Sequence, residues 1–317
     1  MGFTCSVVVP VYNSQATLKE LVTRLSKVLP QLCDQYEVIL VNDGSYDQSW
    51  QVICGLVKQY PWIRGINMMR NYGQQNASLC GLRAAKYEIT ITMDDDLQHP
   101  PEEIGVLLEK FCDDFDVVYG IPKKLPHSLW RNLFSLLTKR LLAYVMSIPS
   151  LQDIGSFRVI RTDLRNAFAT FQSPNVILDV LLSWGTTRFT SVPVNHAPRQ
   201  YGSSNYNFRK LFGHAMLILT GFSTAPLRLA SMIGFAFTII GIIIFAYVII
   251  LYFIAGSIPG FPFLASIISL FSGTQLLVLG IFGEYLATIF DRSTERPVYL
   301  IREIAGERET AIEDETR

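Results

Sequence analysis

Asp94, Asp95 and Asp96 are three consecutive aspartates, followed by Leu97-Gln98-His99, at the end of an apolar run patterned like a β-strand. Adjacent carboxylates repel one another unless a cation or water screens them. In an extended segment residues two apart point the same way, so Asp94 and Asp96 converge while Asp95 faces elsewhere. Hard oxygen donors of this kind suit Mg2+ or Mn2+, and Mg2+ takes one or two carboxylates together with substrate phosphate oxygens. The same residues also read as a solvated acidic turn ahead of a helix, whose dipole favours Asp; the triplet alone leaves both readings open. A second acidic strand end is Asn42-Asp43-Gly44-Ser45. The five cysteines (Cys5, Cys33, Cys54, Cys80 and Cys112) are odd in number and widely spaced, with no C-x-x-C. That pattern fits buried thiols in a reducing compartment better than a disulfide framework or a zinc site.

The elements that must position these acids alternate. Residues 4–9, 36–41, 63–68, 87–93 and 115–119 read as strands, and residues 15–29, 46–59, 74–85 and 101–111 as the helices between them. Such βαβα order predicts an α/β fold: a mostly parallel sheet with helices on both faces and sites at the strands' C-terminal ends. No strand is followed by G-x-G-x-x-G or G-x-x-x-x-G-K-[ST], which disfavours a dinucleotide oxidoreductase or a P-loop nucleotidase.

The 27 basic and 27 acidic residues cancel, yet half the chain is hydrophobic and the mean hydropathy is +0.28. The imbalance is local: residues 229–289 hold a single ionisable group, Glu284. Runs at 229–254 and 263–289 are each long enough to cross a bilayer core of about 30 Å, and a turn-rich connection joins them. Arg209, Lys210 and Arg228 precede this transmembrane hairpin and Arg292 and Arg296 follow it, while the connection has no charge. The positive-inside rule then places both ends, and both termini, in the cytoplasm. No leader precedes the first strand, which agrees with a cytoplasmic domain at the inner membrane. Residues 129–146 and 208–219 are apolar on one face with interspersed basic groups; the second suits a helix at the headgroup level, and the first reads equally as such a helix or as an ordinary amphipathic helix packed on a core. The expected organisation is a catalytic domain over 1–205, interfacial helices over 206–228, the hairpin over 229–290 and an acidic cytoplasmic tail over 291–317. Gly273, Gly280 and Gly283 in the second span fit helix packing and so a homo-oligomer. The neutral balance and the absence of a basic run argue against nucleic acid as the main partner.

Taken in order, Val9-Pro10-Val11-Tyr12-Asn13, Val41-Asn42-Asp43-Gly44-Ser45 and Asp94-Asp95-Asp96-Leu97-Gln98-His99-Pro100-Pro101-Glu102 resemble the GT-A family-2 glycosyltransferases that act on polyprenyl phosphates. Gly283-Glu284-Tyr285-Leu286 and Arg296-Pro297-Val298-Tyr299, after a two-span hairpin, resemble the bacterial bactoprenol (undecaprenyl-phosphate) glucosyltransferases within that group. The resemblance implies that Pro10, Tyr12 and Asp43 line the base and ribose pocket, with Asp94 and Asp95 also against the nucleotide-sugar. It implies that Asp94, Asp96 and Gln98 hold Mg2+ or Mn2+ on the diphosphate. Asp153 matches the acidic position facing the sugar. Arg199, with Gly202 and Ser204, matches a loop over the phosphates. Arg131 and Ser135 match the lipid-phosphate contacts, and Lys123 stands where the family has arginine. Ser14 stands where the family is usually acidic. The implied reaction is inverting transfer of a hexose, glucose by closest resemblance, from UDP-sugar to polyprenyl phosphate. GDP-mannose or a UDP-aminoarabinose derivative is the alternative donor, and a non-catalytic nucleotide-sugar-binding scaffold the alternative of another class. A processive polysaccharide synthase is disfavoured because Q-x-x-R-W is absent.

Overall fold

The computed structural model describes residues 2–111, 115–123, 154–173, 175–197, 222–255, 260–294 and 296–306. By contact density the chain divides into two units, Met1–Asn207 with Arg296–Arg317, and Phe208–Glu295.

The first unit is built on one eight-stranded sheet. Its strands are β1 (Phe3–Val11), β2 (Cys33–Asn42), β3 (Ile63–Met68), β4 (Ile89–Thr92), β5 (Val117–Pro122), β6 (Arg158–Arg161), β7 (Phe189–Val194) and β8 (Ile301–Ala305). They lie in the order β7-β5-β6-β4-β1-β2-β3-β8. β1–β4, β5 and β7 run one way, while β6 and β8 run against their neighbours, so the sheet is mixed. The helices of this unit are α1 (Leu18–Leu32), α2 (Ser49–Gln59), α3 (Gln74–Ala84), α4 (Ile104–Lys110) and α5 (Leu178–Gly185).

Side-chain alternation splits the core into two layers. On β1, Val7, Val9 and Val11 pack with Leu21 and Leu25 of α1 and with Leu107 of α4. Val8, one residue out of phase, faces the other way with Ile39 and Val41 and meets Ala77 and Cys80 of α3. α3 lies so close to β1 that a Cβ on Gly81 would fall 2.2 Å from Val8 Cγ1. The helix expected over 101–111 begins as a 3-10 turn at Pro101–Glu103, where the ring's missing N–H costs nothing, and becomes helical at Ile104.

Part of the acidic tail forms a strand whose charged side chains stay exposed. Ile301–Ala305 is a strand paired antiparallel to β3, with Asn67 Nδ2 donating to Glu303 Oε1 at 2.9 Å. Val298 is buried, and the Tyr299 ring packs with Val8, Ala77 and Cys80. Ile301-Arg302-Glu303-Ile304 sets two adjacent charges between isoleucines and has no period-two alternation, because the register with β3 is irregular between Asn67 and Met68; the charged side chains suit an edge strand.

In the second unit, α6 (Ala225–Ala255) and α7 (Phe261–Ser293) contain windows of mean hydropathy 2.2 and 1.4, long and apolar enough to cross a membrane. Their apolar side chains stand open, Phe253 at 81% and Leu276 at 70% exposure. Within this unit Phe237 meets Phe271 edge-on at 5.7 Å, and Tyr285 Oη donates to the Ser223 carbonyl at 2.6 Å. The amphipathic stretches 129–146 and 208–219 lie outside the described residues, as do Arg131, Ser135, Asp153, Arg199, Gly202 and Ser204.

Candidate active site

Six strands bring their C-terminal ends to one edge of the sheet. The two opposed strands, β6 and β8, bring their N-terminal flanks to the same edge. Segments far apart in sequence therefore meet there: residues 12–15 after β1, 43–49 after β2, 69–73 after β3, 94–99 after β4, Lys123 after β5, 195–197 after β7 and 154–157 ahead of β6.

The loops after β1 and β2 are laced together. Asn13 N donates to Ser45 Oγ at 3.0 Å, Ser14 N to Ser49 Oγ at 2.9 Å and Gln15 N to Asp47 Oδ2 at 3.2 Å. In return Tyr46 N donates to Asn13 Oδ1 and Gln48 N to Gln15 Oε1, both at 2.9 Å. Asn13 adopts φ +54°, a left-handed conformation that asparagine tolerates. Above this base Tyr12 is 43% and Tyr46 88% exposed, with ring centroids 6.4 Å apart and nearly perpendicular. Pro10 is buried within β1.

Asp43 is 2% exposed, and both its oxygens are engaged: Tyr72 N donates to Oδ1 at 2.7 Å and Gly73 N to Oδ2 at 2.9 Å. Burial raises its carboxyl above the ordinary aspartate value, outweighing the two amide bonds. Gly44, at φ +61°, lets this turn press on the loop after β3; a Cβ there would lie 2.5 Å from Arg70 C and Asn71 N. In this structure Asp43 joins the loops after β2 and β3.

The three aspartates follow β4 in a turn rather than in extended backbone, so the alternation expected to bring Asp94 and Asp96 together does not operate, and each carboxylate has its own partners. Asp94 accepts from Gln74 Nε2 at 2.5 Å and Ser156 Oγ at 2.6 Å. Asp95 turns to the β1 loop, accepting from Tyr12 N at 3.2 Å. Burial pushes the Asp95 carboxyl up to about 6, opposed by its bonds from Ser14 and Tyr12 and reinforced by the charges of Asp94 and Asp96. Asp96 Oδ1 accepts from Gln98 N at 3.1 Å, and Leu97 takes φ +62° in the resulting turn. The Gln98 carbonyl accepts from Ala197 N at 2.9 Å, which fastens the segment after β7 to the acidic loop. Beside it His99 stacks on Phe157 with centroids 5.1 Å apart and meets His196 edge-on at 4.9 Å. Burial, then His196, holds the His99 imidazole down to about 4, with Asp96 opposing. Lys123 Nζ donates to Asn195 Oδ1 at 3.1 Å, and Asn195 Nδ2 to Glu103 Oε1 at 2.6 Å.

These donors fit a hard divalent cation. Among the described residues no group of three or more His, Cys, Asp or Glu is arranged to hold a metal ion by itself. One or two carboxylates with positions left for phosphate oxygens is the manner of Mg2+ binding. Three consecutive carboxylates bring negative charge that such an ion would offset. Sequence reasoning missed Gln74 and Ser156. Both are neutral, and they reach Asp94 across 20 and 62 residues, distances over which no local pattern signals a contact.

The profile of glycosyl transferase family 2 matches residues 6–165, a span that runs from β1 through β6 and takes in this edge. The chain belongs to glycosyl transferase family 2. The protein is thus a glycosyltransferase, as its motifs led us to expect. Family-2 relatives match it nearly end to end. The undecaprenyl-phosphate 4-deoxy-4-formamido-L-arabinose transferase of Klebsiella pneumoniae (strain 342) is 31% identical, the match covering 98% of this chain and 97% of that protein. Its namesake in Proteus mirabilis (strain HI4320) is 33% identical over 95% and 94%. A Bacillus subtilis (strain 168) protein named only as a glycosyltransferase is also 33% identical over 95% and 94%. Among solved structures, glucosyl-3-phosphoglycerate synthase from Mycobacterium tuberculosis, crystallised with Mn2+, UDP and glucosyl-3-phosphoglycerate, superposes with TM-score 0.50 at 17% identity, covering 69% of this chain and 78% of that one. A second mycobacterial protein gives 0.51 at 18%, covering 69% and 73%. The fold is GT-A.

Proposed function

We propose that this protein transfers a sugar from a UDP-sugar to undecaprenyl phosphate at the cytoplasmic face of the inner membrane. The observation that carries the reading is the acidic edge at the end of β4, in a chain whose transferase relatives align with it along nearly their whole length, hairpin included. Those relatives are named for 4-deoxy-4-formamido-L-arabinose, so that sugar takes precedence over the glucose expected from the motifs.

A phosphate oxygen of the acceptor attacks the anomeric carbon from the side opposite the leaving group. The bond to the nucleoside diphosphate breaks with inversion, and the diphosphate leaves with the electron pair. The acceptor is already anionic at neutral pH, so electrostatic repulsion is the larger barrier and proton removal the smaller one. A divalent ion, when bound, offsets diphosphate charge. Asp94 and Asp96 would hold it, and Asp95 fixes the Tyr12 backbone beside the base. Gln98 joins them by motif, its backbone already closing the acidic turn. Lys123, Arg131 and Ser135 receive the acceptor phosphate, Arg199 the diphosphate, and Asp153 faces the sugar; Asp153 immediately precedes the described segment that reaches Asp94.

Membrane orientation has support from chain topology. The first unit takes in residues from both sides of the hairpin, since β8 pairs with β3. If α6 and α7 cross the bilayer, both ends of the hairpin must lie on the catalytic side, and the flanking arginines make that side cytoplasmic. The open faces at Gly273, Gly280 and Gly283 support packing of α7 against a second copy.

The test incubates membranes containing the protein with Mn2+, short-chain polyprenyl phosphate and labelled UDP-4-deoxy-4-formamido-L-arabinose or UDP-glucose, and then extracts them with organic solvent. Label passing into the organic phase only with acceptor present is the expected result, greater for the first donor. Nucleotide-sugar binding without any extractable label would instead make the protein a sensor or scaffold.

A further inference from the structure

Behind Asp94 lies a buried chain of polar groups that no step above uses. Ser156, which donates its hydroxyl to Asp94, accepts at its carbonyl from Thr92 Oγ1 at 2.6 Å. Thr92 Oγ1 in turn accepts from Arg158 Nε at 3.1 Å. The Arg158 guanidinium is paired with Asp179, which also accepts from Tyr119 Oη at 2.8 Å. All four of these backing residues are nearly or fully buried: Thr92 at 1%, Tyr119 at 0%, Arg158 at 2% and Asp179 at 6% exposure. A buried charge is tolerated only when its partners are held in good geometry. The ion pair is internally neutral, so it anchors Ser156 without adding net charge beside Asp94. On the opposite side Gln74 donates to the other Asp94 oxygen and is itself exposed, next to Gly73 in the loop tied to Asp43.

We propose that Ser156 and Gln74 are positioning residues that hold the two oxygens of Asp94 ready for a divalent cation, and that the Asp179–Arg158–Thr92 chain fixes Ser156 for this task. Both donors are neutral, so the carboxylate keeps its charge. Outer-shell hydrogen bonds of this kind typically set metal affinity by about 10–100-fold. The inference rests on the glycosyl-transfer reading only through the cation and diphosphate assigned to Asp94.

The experiment measures Mn2+ binding to the full-length, detergent-solubilised protein with UDP present, monitoring free Mn2+ by electron paramagnetic resonance, and the thermal midpoint without metal. Ser156→Ala is expected to weaken Mn2+ by about 10-fold or more, with an unchanged midpoint, and Ser156→Thr to restore it. Thr92→Val should shift Mn2+ affinity in the same direction by less. If Ser156→Ala also lowers the midpoint, the exposed Gln74→Ala decides, with weakened Mn2+ binding expected. Wild-type affinity in Ser156→Ala and Gln74→Ala, while the parent binds Mn2+, would overturn the positioning role alone. A parent protein that binds no Mn2+ with UDP would overturn the cation assignment and this inference together.

Discussion

Asp43 offers the sharpest choice between a ligand role and a structural one. Replacing it with alanine removes the acceptor of two backbone N–H groups, those of Tyr72 and Gly73, at a residue 2% exposed. Each orphaned buried donor costs about 1–3 kcal/mol. Partial relief by water entering the vacated space, and the loss of a carboxylate whose burial is itself unfavourable, put the sum at the lower end, about 2–4 kcal/mol. For a unit of this size each kcal/mol moves the midpoint by about 2–4 °C, so Tm should fall by about 4–16 °C. The assay is thermal unfolding of the solubilised protein, paired with a UDP titration below the transition. The pH dependence carries its own sign. The folded carboxyl titrates above the unfolded value of 3.8, so between those values the folded state binds more protons. Wild-type stability relative to Asp43→Ala therefore grows as pH falls through that window. An unchanged Tm accompanied by a large loss of UDP affinity would refute this reasoning and make Asp43 a nucleotide contact rather than a structural one.

Two further predictions concern the same edge. His99 titrates at about 4 in the fold against an ordinary 6.5, so the unfolded chain takes up the proton first and stability declines as pH falls between those values. His99→Gln should flatten that slope in midpoint-against-pH measurements, and an unaltered slope would remove His99 as its source. Asp179→Ala strands the Arg158 guanidinium at 2% exposure and should cost about 3–5 kcal/mol, whereas Arg158→Met with Asp179→Leu should recover most of the loss. Thermal unfolding of the three proteins checks this, and a double variant no better than the single one would show that packing, rather than stranded charge, sets the cost.

The parallel strands β1–β4 were legible because each is a short apolar run leading into a helical pattern, and β3 emerged at Ile63–Met68 as expected. The acidic ends of β2 and β4 were legible for the same reason: the βαβ rule says where a strand's C-terminus must lie. β6, β7 and β8 were missed. Arg158-Val159-Ile160-Arg161 is four residues long and bounded by arginines, one buried and one exposed, so its hydropathy does not announce a central strand. The deciding factor is long-range pairing with Ile89–Thr92, which is not a local property. The partners of Asp43 illustrate the same limit. A carboxylate after a strand advertises chemistry, and nothing nearby shows that two amides some 30 residues away will claim it.

The antiparallel insertion of β6 explains how this edge gains neutral donors for Asp94. A parallel strand can present at an edge only the residues C-terminal to it, usually a turn committed to starting a helix. A reversed strand presents its N-terminal flank instead, and residues 154–157 arrive free of that duty, with Ser156 Oγ on Asp94 and Phe157 against His99. Because β6 lies between β4 and β5, Arg158 at its first position is buried in the sheet's interior and can reach both Thr92 and Asp179. An edge strand could not enclose that guanidinium, and an exposed ion pair would contribute little to fixing a neighbour. The central reversed strand therefore accounts both for the serine at the carboxylate and for the rigidity behind it.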